Sequence, residues 1–340
     1  MSQSVGPDEI AIAANLLRSG KLVAFPTETV YGLGANALDP EAVASIYRVK
    51  RRPATSPLIV HVSSLEMAQS LVAGWPEIAD RLAREFWPGP LTLVLPTSRV
   101  VAGLWPAKAE RSSAVHSSRA IPDIVTAGLP NVALRMPAHP IALALIQAAE
   151  IPLAAPSANR FTELSPTTAA HVRDSLGSEV DYILDGGPCQ VGIESTVLSL
   201  ATRQPVLLRP GAISRQQLEA LIGPVLSAHE IPAGPHPAPG MHPRHYSPRT
   251  TLYLVTNGKL PDHGKGIYLQ HTYLASSPNS EVKITTVQMP AASTDYAAAL
   301  YEKLHQADAA NADWIAVDQP PNTPEWEAVQ DRLRRAATKK

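Results

Sequence analysis

Cations, hydroxyls and carboxylates that directly follow an apolar run stand where a buried strand would surface, and there they can grip an anionic ligand. This chain repeats the arrangement. Phe25-Pro26-Thr27-Glu28-Thr29-Val30-Tyr31-Gly32-Leu33-Gly34 passes from apolar residues into hydroxyls, a carboxylate and two glycines, which suits a site-forming loop or an ordinary turn. Lys50-Arg51-Arg52-Pro53 closes an amphipathic helical pattern, and Ser56-Pro57 leads into the run that ends at His61. Those cations suit a phosphate clamp or a solvated helix C-terminus. Arg135 follows residues 132–134, and Pro156-Ser157-Ala158-Asn159 follows residues 153–155. Asp185-Gly186-Gly187-Pro188, Gly192-Ile193-Glu194-Ser195-Thr196 and Arg209-Pro210-Gly211 flank further runs. Together they describe a large, cationic, hydroxyl-rich cleft for an anionic ligand.

Other chemistries lack their residues. There is no G-x-x-x-x-G-K-[ST], no H-E-x-x-H and no nucleophile elbow, and Gly32 and Gly34 supply only half a dinucleotide fingerprint. His236, His242 and His245 have no fourth ligand at metal-site spacing, so no protein metal site is expected. The single cysteine, Cys189, reads as a small buried or loop thiol, and Trp87-Pro88-Gly89-Pro90 as a turn that packs an aromatic ring.

Apolar runs predict strands at residues 22–25, 58–62, 91–95, 132–134, 153–155, 182–184, 196–200 and 206–208. Helical spacing predicts helices from Pro7 to a stop at Gly20 and at residues 40–49, 140–149, 167–176 and 214–222. This mixture suggests one α/β domain with a mixed sheet over residues 1–223. Residues 224–249 hold seven prolines (Pro224, Pro232, Pro235, Pro237, Pro239, Pro243 and Pro248) and read as an extended, semi-rigid linker. Strands at 252–255, 266–269, 282–287 and 314–317, with helices at 294–306 and 325–336, then predict a small doubly wound α/β domain over 250–340. Residues 100–118 read as a surface insertion.

Composition narrows the class. With 340 residues the prior is two domains, and 29 Lys+Arg against 30 Asp+Glu disfavours a chain that coats nucleic acid. The 33 prolines, about twice the usual share, exclude a helix-dominated architecture. One cysteine, no basic-then-apolar leader pattern and no run of 18 apolar residues lead to the expectation of a cytoplasmic protein without membrane contact.

At this point the motifs identify a resemblance. FPTETVYGLGANA, KRRPATSPLIVHV, FWPGPLTLVL, ALRMPAHP, PLAAPSANRFTELSPTTAAHV, ILDGGPCQVGIESTV and LLRPGAIS resemble the YrdC-type threonylcarbamoyl-AMP synthases, in that family's order, across most of residues 8–222. The linker with Arg244-His245-Tyr246-Ser247-Pro248 and the α/β region after it are similar to the long, two-domain form. The resemblance implies a YrdC-like mixed-sheet α/β domain, a proline-rich linker and a small Rossmann-like domain. It also implies a reaction: L-threonine, bicarbonate and ATP give L-threonylcarbamoyl-adenylate and pyrophosphate. That is the first step of threonylcarbamoyl-adenosine modification in tRNAs reading codons that begin with A.

The implied roles fall on matching positions. Thr29, His61, Arg135 and Ser195, with the backbone of Ala155, would bind L-threonine. Lys50, Arg52, Ser56, Asn131, Ser157, Ser165, Arg209 and Tyr246 would bind ATP, Lys50 and Arg52 being the catalytic candidates. Mg2+ would arrive with ATP, held by triphosphate and water. Tyr246 would make the linker a lid over the site. The product would pass transiently to a downstream threonylcarbamoyl transferase complex, and any direct tRNA contact would be weak. Two rivals remain: a double-stranded RNA or tRNA-binding module without catalysis, and a carbamoyl-adenylate enzyme of hydrogenase maturation, whose acylphosphatase-like and zinc-finger segments have no counterpart here.

Overall fold

Strands whose residues are buried on both faces read as continuous apolar runs, and strands of this kind, Leu91–Pro96 among them, form much of a ten-stranded first sheet. A computed structural model of the chain describes residues 5–97, 121–228, 245–256, 258–271 and 281–337. The expected insertion at 100–118, linker residues 229–244 and the histidines His236 and His242 lie outside the described residues. Helix α1 (Pro7–Arg18) starts as its acidic first turn predicts, with Glu9 accepting from the Gly6 amide at 3.0 Å. It packs on α6 (Pro140–Ala149), enclosing Leu17, Phe25 and Leu145.

The segment expected as a loop at residues 25–34 is in part a hairpin. Strand β1 (Val23–Phe25) pairs antiparallel with β2 (Gly32–Asn36), so only residues 26–31 form the connection. Gly34 is confined to glycine by packing: a Cβ there would lie 2.8 Å from the Phe25 ring. Helix α2 (Pro40–Lys50), capped by Asp39, leads to β3 (Ile59–His61). Three helices not anticipated from the sequence are α3 (Leu65–Gln69), α4 (Glu77–Phe86) and α5 (Asp123–Thr126). Strands β4 (Leu91–Pro96), β5 (Asn131–Arg135), β6 (Leu153–Ala154), β7 (Tyr182–Ile183), β8 (Thr196–Ser199) and β9 (Val206–Arg209) fall close to their expected places. Helices α7 (Ala169–Leu176) and α8 (Arg215–Ile222) do too, and β10 (Leu226–Ser227) adds an edge strand beyond residue 223. The order is β10-β9-β8-β4-β5-β3-β6-β2-β1-β7, with parallel and antiparallel neighbours. Trp87 is buried with its indole donating to the Leu91 carbonyl at 2.7 Å, a packed turn as expected.

The second sheet is separate and wholly parallel, in the order β11-β14-β12-β13: β11 (Thr251–Val255), β12 (Lys265–Gln270), β13 (Lys283–Gln288) and β14 (Trp314–Asp318). Helix α9 (Ser293–Ala309) joins β13 to β14, and α10 (Glu327–Ala336) follows. Its apolar core is continuous with Val30, Leu164, Ile193 and Tyr246 of the preceding chain. Gly192 marks the tightest approach: a Cβ there would stand 2.5 Å from the Ala298 Cα on α9. Among the described residues, no helix is long and apolar enough to cross a membrane.

Histidines line the same seam. His171 of α7 and His305 of α9 stack at 3.8 Å with an 18° interplanar angle. His305 Nε2 donates to the Ser165 carbonyl at 3.1 Å, and His171 Nε2 faces Glu302 at 3.3 Å, with Asp174 and Asp308 nearby. Burial, and then His171, push the His305 pKa from 6.5 down to about 4. The unfolded chain therefore binds more protons between those values, so this contribution to stability is complete above pH 6.5 and is lost as pH falls towards 4. The thermal midpoint of the protein is expected to fall more steeply between pH 6.5 and 4.5 than that of a His305→Gln variant. Equal slopes would show that His305 does not titrate in this window.

Candidate active site

Register puts the first two side chains together. The C-terminal residues of the parallel strands β3 and β5 are partners, His61 opposite Arg135, so an imidazole and a guanidinium leave the sheet side by side. Across β6, the Ala155 amide donates to the Ile59 carbonyl, and Ser157 bridges to Gly32. The turn between β1 and β2 is fastened by Thr27, whose hydroxyl donates to the Val30 carbonyl at 2.6 Å and stands 2.8 Å from the Thr29 hydroxyl. Thr29, His61, Arg135, Ala155 and Ser195 thereby border one cavity, and Arg52, Ser157, Arg209 and Tyr246 border it too.

Burial sets the charge states. His61 is 3% exposed, and burial, then Arg135, lower its pKa to about 3; its imidazole is neutral at physiological pH, with Nδ1 lacking a hydrogen-bond partner. Arg135 donates Nη2 to Glu28 at 2.7 Å and Nε to the Gly89 carbonyl at 3.3 Å, while Glu28 also accepts from the Ala138 amide. A guanidinium has five N–H donors, so the edge carrying Nη1 is left for an anion. Burial draws the Arg52 pKa down to about 10, still charged at neutral pH; its guanidinium lies 5.5 Å from the Phe161 ring centre and donates to the Pro57 carbonyl.

Arg209 is held through Ser195: Nε donates to the Ser195 carbonyl and Nη2 to its hydroxyl, both at 3.1 Å, and that hydroxyl meets Thr92 at 2.8 Å. Tyr246 is 1% exposed and takes a left-handed conformation, φ 60°, which is rare for a bulky side chain. It stacks edge-on against His245, whose own pKa burial and the surrounding cations drive well below 6.5.

Four of the expected ATP ligands are placed differently. Lys50 is buried, and its ammonium donates to the Ser157 carbonyl at 2.5 Å and to the Asn159 carbonyl. It braces the 156–159 loop from behind instead of lining the cavity. The Ser165 hydroxyl donates to Glu194 at 2.5 Å. Ser56 contributes its carbonyl, to the Tyr47 hydroxyl and Arg52, and Asn131 opens β5 at the Pro96 pairing, away from the cavity wall. Cys189 is buried, and burial raises its pKa to about 12, consistent with a packed thiol.

Glu28 and Glu194 were not singled out as site residues from the sequence, although both stand inside quoted motifs. Glu194 is buried, which pushes its pKa up, but Arg332 and Arg209 outweigh that and hold it below the usual carboxylate value. Glu194 borders the cavity, while Glu28 sits behind it as the counter-charge of Arg135, and the guanidinium groups of Arg52, Arg135 and Arg209 line the wall. The arrangement can bind an anion of several charges and exclude water from it.

A family model described as "Telomere recombination", carrying the names Sua5, YciO and YrdC, matches residues 15–211, and one described as "Threonylcarbamoyl-AMP synthase, C-terminal domain" matches residues 213–338. The threonylcarbamoyl-AMP synthase of Pyrococcus abyssi is 47% identical over 252 residues, 73% of this chain and 68% of that protein. That of Bacillus subtilis is 40% identical over 356 residues, 98% of this chain and 94% of that protein. The crystal structure of Pyrococcus abyssi Sua5 complexed with L-threonine superposes with a TM-score of 0.83 at 37% identity, covering 98% of this chain and 96% of the other.

Proposed function

The chain belongs to the two-domain Sua5/YrdC family of threonylcarbamoyl-AMP synthases, enzymes of nucleotidyltransferase type, and from that membership we propose that it converts L-threonine, bicarbonate and ATP into L-threonylcarbamoyl-adenylate and pyrophosphate. The observation that carries this reading is the single cavity in which Thr29, His61, Arg135 and Ser195 share walls with Arg52, Ser157, Arg209 and Tyr246. The similarity to a Sua5 solved with L-threonine supports the amino acid.

The chemistry follows from the charges. Arg135, steadied by Glu28, offers its remaining N–H edge to the threonine carboxylate. The hydroxyls of Thr29 and Ser195 suit the threonine hydroxyl, a contact that rejects analogues lacking it. A neutral His61 leaves the amine free of a competing cation. Bicarbonate gives up hydroxide to become carbon dioxide, the amine lone pair forms the N–C bond to that carbon, the amine proton passes to the hydroxide, which leaves as water, and a carbamate results. A carbamate oxygen then attacks the α-phosphorus in line, the bond to the β-phosphate oxygen breaks, and pyrophosphate leaves with that electron pair. Arg52 and Arg209 would offset charge on the phosphates, with Lys50 shaping the loop that holds Ser157. No enzyme nucleophile is required.

Among the described residues, Glu194 on the cavity wall and Glu28 behind it are each committed to an arginine, so the residues present do not build a protein cage for Mg2+. A nucleotide-borne Mg2+ coordinated by phosphate oxygens and water fits them, and would supply charge neutralisation on the triphosphate. The product would feed the tRNA modification through a transferase, in the cytoplasm.

Pyrophosphate release that depends on both threonine and bicarbonate tests the reading; release indifferent to threonine sinks it. Arg135→Lys keeps the charge and loses the planar fork, so the threonine KM is expected to rise about tenfold or more with a smaller change for ATP. Equal rises in both would contradict a carboxylate role.

A further inference from the structure

The second domain reaches the cavity through one carboxylate. Glu194 Oε2 accepts from Arg332 Nε at 2.7 Å and from the Tyr301 hydroxyl at 3.1 Å, while Oε1 accepts from Ser165. Arg332 and Tyr301 belong to α10 and α9. Arg332 is 1% exposed and uses its whole fork: Nη2 donates to the Glu194 carbonyl at 3.4 Å and Nη1 to Asp331 at 2.9 Å. Its guanidinium carbon stands 5.1 Å from the centre of the Tyr246 ring.

Two site residues hang on these contacts. The residue after Glu194 is Ser195, whose carbonyl and hydroxyl anchor Arg209, so a shift of the Glu194 backbone moves both. Tyr246 holds an unfavourable left-handed backbone, which persists only where its surroundings over-determine it, and the flat face of Arg332 is part of that surround. Stability alone does not explain the arrangement, because a buried ion pair can often be replaced by neutral groups without loss.

We propose that Arg332 is a positioning residue for the adenylation: through Glu194 it sets Ser195 and Arg209, and through its planar face it holds Tyr246 at the cavity. The inference rests on the synthase reading above. It goes beyond that reading by giving the second domain a defined part in catalysis.

The test compares wild type, Arg332→Lys, and the double variant Glu194→Gln with Arg332→Met, in threonine-dependent pyrophosphate release and in thermal midpoint. Glutamine keeps one acceptor oxygen, its amide can donate to whichever of the Ser165 and Tyr301 hydroxyls faces it, and the double change removes one charge of each sign, so the double variant is expected to keep a near-wild-type midpoint. Its kcat at saturating substrates should remain at least about tenfold low, the scale of a misaligned site. Arg332→Lys, which retains the charge and whose folding the midpoint reads, should show a kcat loss in the same direction because the fork and planar face are gone. Wild-type kcat in Arg332→Lys, or in a double variant of restored midpoint, overturns the proposal. Absence of threonine-dependent release from the wild type overturns the synthase reading instead.

Discussion

A chain ended after Ala228 is expected to release pyrophosphate at about one hundredth of the full-length rate or less. All ten strands of the large sheet lie within such a chain, so the loss is expected without loss of that sheet. What disappears is Tyr246 from the cavity wall, together with Arg332 and Tyr301 from Glu194. Glu194 would lose its strongest partner, and Val30, Leu164 and Ile193 would face water. A displacement of about 1 Å at reacting groups can cost about a hundredfold, and here both a wall and its support are removed. Circular dichroism establishes that the truncated chain is folded, and the pyrophosphate assay reads the loss. Full activity of the folded fragment would refute any need for the second domain.

Glu28→Ala is expected to destabilise the protein by about 3–5 kcal/mol, the cost of breaking a buried ion pair from one side. The pair is 2.7 Å long, with side chains 4% and 8% exposed for Arg135 and Glu28, so water cannot take the carboxylate's place. The Ala138 amide loses its acceptor as well. Glu28→Gln, which keeps the side-chain volume and one acceptor oxygen for either Ala138 or Arg135, should cost less. Denaturant midpoints of the two variants check the order; a Glu28→Ala midpoint at the wild-type value would mean that Arg135 finds another anion.

Strands such as β4 and β5 are legible because their residues are largely buried on both sides and form nearly unbroken apolar runs. Strand β2 was not, because glycines argue for a loop unless the Phe25 ring that demands them is known. Helix α4 had a usable signal in Ala79, Leu82 and Ala83, buried at helical spacing, that went unread. Arg135 and His61 drew notice as polar residues at the ends of apolar runs, and register brings them together. Residue type alone did not reveal that Lys50 and Ser165 point at protein acceptors, since a cation and a hydroxyl suit a phosphate and a carbonyl equally. Glu28 and Glu194 were hidden for another reason. Their arginines are 107 and 138 residues away, and no local pattern announces a partner at that distance.

That last separation has a consequence in time. Synthesis proceeds at about 5–20 residues per second, so on the order of ten seconds pass between the making of Glu194 and the making of Arg332. During this interval the large sheet can form, but the carboxylate at its centre has no guanidinium from α10. A first domain that folds in this interval would carry an unfinished cavity wall, completed only when α10 is made and the second sheet docks.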